Sequence, residues 1–235
     1  MKKVFRQAQH KVAIFDIDGT IYRSSFLVEI VDALIQEGIF PKRAALDYAK
    51  AYKMWIERRG SYEVYINDLL KVFFRNIRGV RKIAFLKIAR KVVYFHKNRI
   101  YTYTRDLTKE LKKKNYYLLA ISNSPREVVE VFCKNLGFDK VYGRIYGTDK
   151  KGRLTGEGIY FDLMDDKSKV LRRAVEKEAL TLKGSVGVGD TDSDIPFLKM
   201  VEHPICFNPN ERLYQYAKRA GWKIVVERKD VIYFL

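Results

Sequence analysis

The hydrophobic pattern of this chain changes period twice. Val12-Ala13-Ile14-Phe15 is an unbroken apolar run, the pattern of a central strand covered on both faces. The next comparable run, Tyr116 to Ile121, comes only after a long stretch in which apolar residues recur at helical spacing. Phe26 to Gln36 carries Phe26, Leu27, Ile30, Val31 and Leu34, with Gly38 and Pro41 as stop signals. Ala44 to Arg58 repeats the pattern through Leu46, Tyr48, Ala49, Tyr52 and Ile56 and ends near Gly60. Tyr62 to Arg75 and Arg81 to Lys97 read as two further helices separated by Gly79. The region from about Ser25 to Tyr103 is therefore expected to be an all-helical insertion.

Beyond it the chain alternates as α/β folds do. Asp106 to Lys114 is a basic amphipathic helix leading into the strand Tyr116 to Ile121. Ser124-Pro125-Arg126-Glu127 offers an N-cap, a proline at N1 and an acid at N3, a capping box for a helix from Arg126 to Leu136. Glycines at 143, 147, 152, 156 and 158 punctuate short β-prone pieces, so a hairpin is expected within Val141 to Ile159. Lys167 to Glu178 is a helix and Ser185 to Val188 a short strand. Ile205 to Phe207 and Ile224 to Val226 are late strands with the helix Glu211 to Ala220 between them.

Chemistry gathers where the strands end. Asp16-Ile17-Asp18-Gly19-Thr20 follows the first strand directly, and two buried carboxylates raise each other's pKa unless a cation joins them. A second acidic cluster, Gly189-Asp190-Thr191-Asp192-Ser193-Asp194, follows the Ser185 to Val188 strand. Ligands of open parallel sheets collect at the carboxyl ends of strands, so both clusters point to one rim. Their oxygens are ligands of the kind hard cations prefer, too few to wrap an ion, which suits Mg²⁺ together with water and a phosphate. A calcium loop is the competing reading of Asp190 to Asp194, which lacks the sixth-position glycine and terminal glutamate of an EF-hand. Ser122-Asn123-Ser124 lies between a strand end and a helix start, a ready anion site, with Ser122 the better phosphate contact. Lys167 and Lys169 open the helix that precedes the Ser185 strand.

Taken in order, D-x-D-G-T, a strand-end serine, a lysine and G-D-x-x-x-D resemble the four motifs of the haloacid dehalogenase superfamily. Ile121-Ser122-Asn123-Ser124-Pro125, Gly152-Arg153-Leu154-Thr155-Gly156 and Val201-Glu202-His203-Pro204 running to Asn208-Pro209 resemble its subfamily IB, the phosphoserine-phosphatase-like branch. The resemblance implies a Rossmann-like core with a parallel sheet, formed by 1–24 and 104–235, and an inserted helical cap of the C1 type at 25–103. It implies a phosphomonoester phosphatase in which Asp16 is the nucleophile that forms an aspartyl-phosphate and Asp18 the general acid and base. Ser122 and Lys167 would hold the phosphoryl oxygens, Lys167 being preferred to Lys169 on spacing. Thr20 and Asn123 join the expected substrate contacts. Asp16, Asp190 and the backbone carbonyl of Asp18 would hold Mg²⁺, with Asp194 supporting that site or orienting Lys167. Phosphoserine phosphatases read the substrate ammonium with a glutamate, matched here by Ser25, and its carboxylate with a cap arginine, matched near Leu69. The expected substrate is thus a small organic phosphate other than phosphoserine. Phosphoserine hydrolysis and phosphotransfer to another acceptor are the alternatives on the same scaffold.

Composition narrows the picture further. The 235 residues are 47% apolar, enough to bury a real core. No apolar stretch approaches the roughly 20 residues of a spanning helix. The basic stretch from Met1 to His10 lacks the apolar segment of a secretory signal. Two cysteines, Cys133 and Cys206, give no disulfide framework and suit a reduced, cytoplasmic protein. The net charge of +18 implies attraction to polyanions, or else a lysine-rich surface without a partner. The insertion is aromatic (Tyr48, Tyr52, Trp55, Tyr62, Tyr65, Phe73, Phe74, Phe85, Tyr94, Phe95). Its last third is basic (Arg78, Arg81, Lys82, Lys87, Arg90, Lys91, Lys97, Arg99). Aromatics at helical spacing form cores, or pockets for hydrophobic or cationic groups. The basic part suits anionic lipid or nucleic acid, and a basic binding protein with little turnover is the reading from another functional class.

Overall fold

The computed structural model describes residues 10–235; the basic N-terminal stretch discussed above lies, up to residue 9, outside them. Eight strands form one sheet in the order β4-β3-β2-β1-β5-β6-β7-β8. They are β1 (His10–Phe15), β2 (Tyr117–Pro125), β3 (Lys140–Thr148), β4 (Leu154–Ile159), β5 (Leu180–Gly189), β6 (His203–Phe207), β7 (Lys223–Arg228) and β8 (Val231–Phe234). The six from β3 to β7 run parallel, and β4 and β8 close the two edges antiparallel. The unbroken apolar run of β1 reflects its central place. Ala13 and Phe15 enter the core on one face, and Val12 and Ile14 enter a second core on the other.

After β1 the chain builds outward through β2 and β3, then crosses back so that β5 pairs with the other side of β1. This reversal of strand order opens a crevice beyond the carboxyl ends of β1, β2 and β5. Four helices fill the sequence between β1 and Thr102: α1 (Phe26–Gln36), α2 (Leu46–Ile56), α3 (Tyr62–Ile77) and α4 (Lys82–His96). The Ser25 and Ser61 side chains cap α1 and α3 by accepting backbone N–H bonds. Each helix buries a stripe, Tyr65, Leu69, Val72, Phe73 and Ile77 in α3 and Phe85, Ile88, Ala89, Val92 and Val93 in α4. These stripes join the core that starts from Ala13 and Phe15, so the insertion and the sheet share one apolar interior. No helix among the described residues is long and apolar enough to cross a membrane.

The remaining helices are α5 (Thr102–Lys113), α6 (Arg126–Lys134), α7 (Phe161–Met164), α8 (Lys167–Lys177), α9 (Ile195–Leu198) and α10 (Glu211–Ala220). Local readings are corrected in several places, among them β5, which begins at Leu180 rather than Ser185. The Ala44 to Arg58 helix begins instead with a 3₁₀ turn, Lys42–Ala45, before α2. The helix expected from Asp106 starts at Thr102, because the Glu227 carboxylate on β7 accepts the N–H groups of Thr102 and Tyr103 at 3.0 and 2.8 Å. The capping box at Ser124 does not form: Pro125 is the N-cap of α6 with no side-chain cap, and the Ser124 N–H donates to Ser122 Oγ at 3.0 Å. The edge strand β8 has no counterpart in the pattern reading.

Gly143 lets β3 lie against the start of α6. A Cβ there would fall 2.7 Å from Cα and 3.0 Å from N of Arg126, backbone atoms that cannot rotate away. Gly143→Ala is expected to lower the unfolding free energy by about 1–3 kcal/mol in a urea titration. A change within about 0.5 kcal/mol would contradict this packing.

Candidate active site

Asp16 follows β1 at once, and its N–H donates to the Val188 carbonyl of β5 at 2.9 Å, which fixes the carboxylate at the base of the crevice. It is 4% exposed. Gly19, at φ +83°, turns the chain back so that its N–H reaches the Tyr22 carbonyl at 2.9 Å. A Cβ at this position would also lie 2.0 Å from Oδ2 of Asp190, so the turn and the close approach both require glycine. The Asp18 carboxylate accepts the Phe26 N–H, at the start of α1, at 2.5 Å and the Ser122 hydroxyl at 2.7 Å.

Beyond β5 the chain curls through the 3₁₀ turn Asp192–Asp194, and Oδ2 of Asp194 accepts the N–H groups of Asp190 and Thr191 at 2.9 and 3.1 Å. The other Asp194 oxygen accepts from Lys167 Nζ, which also lies 2.5 Å from Oδ1 of Asp16. Lys167 is the first residue of α8, placed there by the Asp166 N-cap. Lys169, two positions along, cannot share its face and is exposed. Of the two lysines, Lys167 is the one buried against Asp16 and Asp194.

Charge in this cluster is unbalanced. Burial pushes the Asp16 carboxyl up, Lys167 draws it back down, and Asp194 and Asp18 raise it again. Burial also raises Asp190, with Asp16 and Asp194 adding to the effect. It raises Asp18 against the lowering bonds from the Phe26 N–H and Ser122. For Lys167, burial lowers the pKa but the charges of Asp16 and Asp194 outweigh it, so the ammonium persists. Among the described residues no second cation is bonded to these carboxylates. Oxygens of Asp16, Asp190 and Asp194 lie within 4.8 Å of one another, and Oδ2 of Asp16 is buried with no hydrogen-bond partner. Three clustered carboxylates with a single ammonium among them offer the oxygen donors and surplus negative charge that fit a small, hard divalent cation.

Above the carboxylates lies a cavity of about 610 Å³, roofed by α1, α2 and α3. Of the expected substrate contacts, Asn123 is on its wall and exposed. Two others are placed differently. Thr20 is fully buried and braces Asp190 through a 3.3 Å hydroxyl bond, and Ser122 is fully buried with its hydroxyl on Asp18. Ser25 caps α1 by accepting the Leu27 N–H at 3.2 Å, and Leu69 is fully buried in the core. Sequence reasoning missed Arg23, Tyr101 and Arg144 on the cavity wall, since no local pattern marks them. Tyr62 was legible only as an aromatic, yet its hydroxyl is raised by burial and by the nearby charges of Asp18 and Asp190.

Removing the ammonium leaves Asp16 and Asp194 buried and uncompensated. Lys167→Met is expected to cost roughly 3–5 kcal/mol of stability when unfolding is measured with a chelator present. A loss below about 1 kcal/mol, the range of surface pairs, would show that the ion pair is not structural.

Residues 13–199 match the haloacid dehalogenase-like hydrolase family model. The chain is 26% identical over 219 residues to phosphoserine phosphatase SerB1 of Mycobacterium tuberculosis, which covers 90% of this chain and 69% of that protein. Its structure is similar to that of a protein of unknown function from Bordetella pertussis Tohama I (TM-score 0.72, 17% identity, 92% of this chain and 98% of that one). It is also similar to a phosphoserine phosphatase solved as a phospho-aspartyl intermediate analogue (TM-score 0.61, 21% identity, 95% and 96%). At those identities the two solved structures speak for the fold, a parallel-sheet core with a helical insertion. The family match spans both acidic strand ends and the lysine between them, and the chain belongs to the haloacid dehalogenase-like hydrolases.

Proposed function

We propose that this protein is a Mg²⁺-dependent phosphomonoester phosphatase that works through an aspartyl-phosphate on Asp16. The observation that carries the reading is Oδ2 of Asp16, buried without a hydrogen-bond partner at the floor of the cavity while Oδ1 is held by Lys167. A carboxylate fixed by one oxygen presents the other to phosphorus. Its attack forms the Asp16–phosphoryl bond as the bond to the leaving alcohol breaks, and Asp18 gives that alcohol its proton. Asp18 then takes a proton from the water that attacks phosphorus, which releases inorganic phosphate and restores Asp16. The Phe26 N–H and Ser122 hold Asp18 in place for both transfers. Lys167 and the backbone at Asn123 and the α6 start meet the phosphoryl oxygens, and Asp194 orients Lys167.

Asp16, Asp190 and the backbone carbonyl of Asp18 would hold Mg²⁺, which when bound neutralises the repulsion between Asp16 and the incoming phosphate. The division of the chain follows as a proposal too, with a catalytic core of 1–24 and 104–235 and a cap of 25–103 that roofs the cavity. Cys133 and Cys206 are both free and buried, which supports a cytoplasmic protein. The substrate is a phosphomonoester other than phosphoserine. The positions that would read its ammonium and carboxylate are Ser25, engaged as a helix cap, and Leu69, sealed in the core. The basic insertion leaves a weak attraction to anionic lipid or nucleic acid as a separate expectation.

On a generic aryl phosphate, Asp16→Asn and a chelator are each expected to reduce turnover to background, and Asp18→Asn to slow it by about 10²–10⁴-fold. Equal, metal-independent rates for wild type and Asp16→Asn would overturn the catalytic assignment. In a screen of phosphorylated metabolites, phosphoserine is expected to be a poor substrate. Near-diffusional efficiency confined to it would reverse the substrate reading.

A further inference from the structure

The cavity above the carboxylates has two unlike ends. All of its acids, Asp16, Asp18 and Asp190, lie at the floor, where phosphate chemistry is proposed. The roof carries no carboxylate and, apart from Asn67, is built from apolar and aromatic side chains of three helices. Trp55 stacks on Tyr65 at 5.6 Å with 9° between the rings, and Tyr62 packs against Trp55 at 5.1 Å. Tyr65 is 2% exposed and backs the wall, whereas Tyr62 is 39% exposed and lines the cavity. Leu27, Ile66 and Leu70 complete the apolar surface.

The charges beside this wall are positive. Arg99 is paired with Glu29 at 2.7 Å and Arg144 with Asp165 at 3.0 Å, so both are committed. Arg23 makes no ion pair with a described residue and lies over the Tyr101 ring at 5.6 Å. An ammonium group here would lose water, find no carboxylate, and sit among guanidinium groups. Aromatic faces alone do attract ammonium, but one face of Trp55 is already taken by Tyr65. A flat apolar group gains from both the stacking surface and the release of water.

We propose that the cavity selects phosphomonoesters whose alcohol part is flat and apolar and carries no ammonium group, with Trp55 and Tyr62 as the residues that read it. This rests on the phosphatase reading of the same site. Hydrolysis of such an ester consumes one water and yields the free alcohol and inorganic phosphate.

Three esters of primary alcohols separate recognition from reactivity: 2-phenylethyl phosphate, ethyl phosphate and phosphoethanolamine differ in the group carried beyond the reacting end. With Mg²⁺ present, kcat/KM is expected to fall in that order, with roughly tenfold or more between the first and the last. Trp55→Ala and Tyr62→Leu should each bring the phenylethyl-to-ethyl ratio toward one, and Trp55→Phe, which keeps a flat face, should retain it. Phosphoethanolamine at or above 2-phenylethyl phosphate in the wild type overturns the inference, even if the variants fail to fold. So does a ratio that survives in both Trp55→Ala and Tyr62→Leu. If the wild type hydrolyses none of the three, calorimetric binding of the same esters to the wild type with Mg²⁺ decides. Tighter binding of 2-phenylethyl phosphate keeps the selectivity and sinks the phosphatase reading, whereas equal, reversed or undetectable binding sinks the selectivity.

Discussion

One ammonium group, Lys167 Nζ, holds this site together. It sits at the first residue of α8, where the helix dipole disfavours a cation, and its side chain is 4% exposed. Only the two carboxylates that flank it, Asp16 after β1 and Asp194 after β5, make that position tolerable. In return the lysine ties the ends of two neighbouring strands to a helix that arrives from a third part of the chain. Asp194 extends the tie by accepting the N–H groups of Asp190 and Thr191, which sets the acidic loop against Gly19. The Asp16–Lys167–Asp194 bridge thus fixes the geometry in which one Asp16 oxygen is held and the other is left free.

The helical insertion is attached to this floor from several sides. Asp18 accepts the first N–H of α1, so the carboxylate proposed to move protons also anchors the roof. At the α3 end, Arg212 of α10 lies 3.7 Å from Glu63 and 3.4 Å from Asp192 in the acidic loop. These side chains are exposed, so the contact is weak, and the shared apolar interior does most of the holding. The result is a cavity whose floor is set by charge and whose roof is set by packing. The proposed chemistry and the proposed selectivity therefore fall to different parts of the chain.

What the sequence disclosed follows from how local each signal is. The apolar run of β1, the stripe and stop signals of α1 and the two acidic strand ends are contiguous patterns, and each lies where the periodicity places it. The lysine was harder. Lys167 and Lys169 are equivalent in composition; spacing within the motif pattern favours Lys167, and in the fold it is Lys167 that lies buried against Asp16. The start of α5 was misread because its cap, Glu227, comes from a distant strand, and Ser124 was misread because the Ser122 hydroxyl draws its N–H away from helix capping. Thr20 and Ser122 sit beside the chemistry but turn their hydroxyls onto Asp190 and Asp18. Arg23 and Arg144 reach the cavity from separate elements, an arrangement that exists only once the sheet has formed.

The central claim is that Asp16 carries the phosphoryl group between substrate and water. Acid-quenching the wild-type protein during turnover of a phosphomonoester, then mapping its peptides by mass spectrometry, tests this directly. One phosphoryl group on the peptide that contains Asp16, absent when the protein is quenched before substrate and absent in Asp16→Asn, is the expected result. Turnover with no phosphoryl group on any aspartate, or with the group on Asp18 or Asp190 instead, would contradict the account.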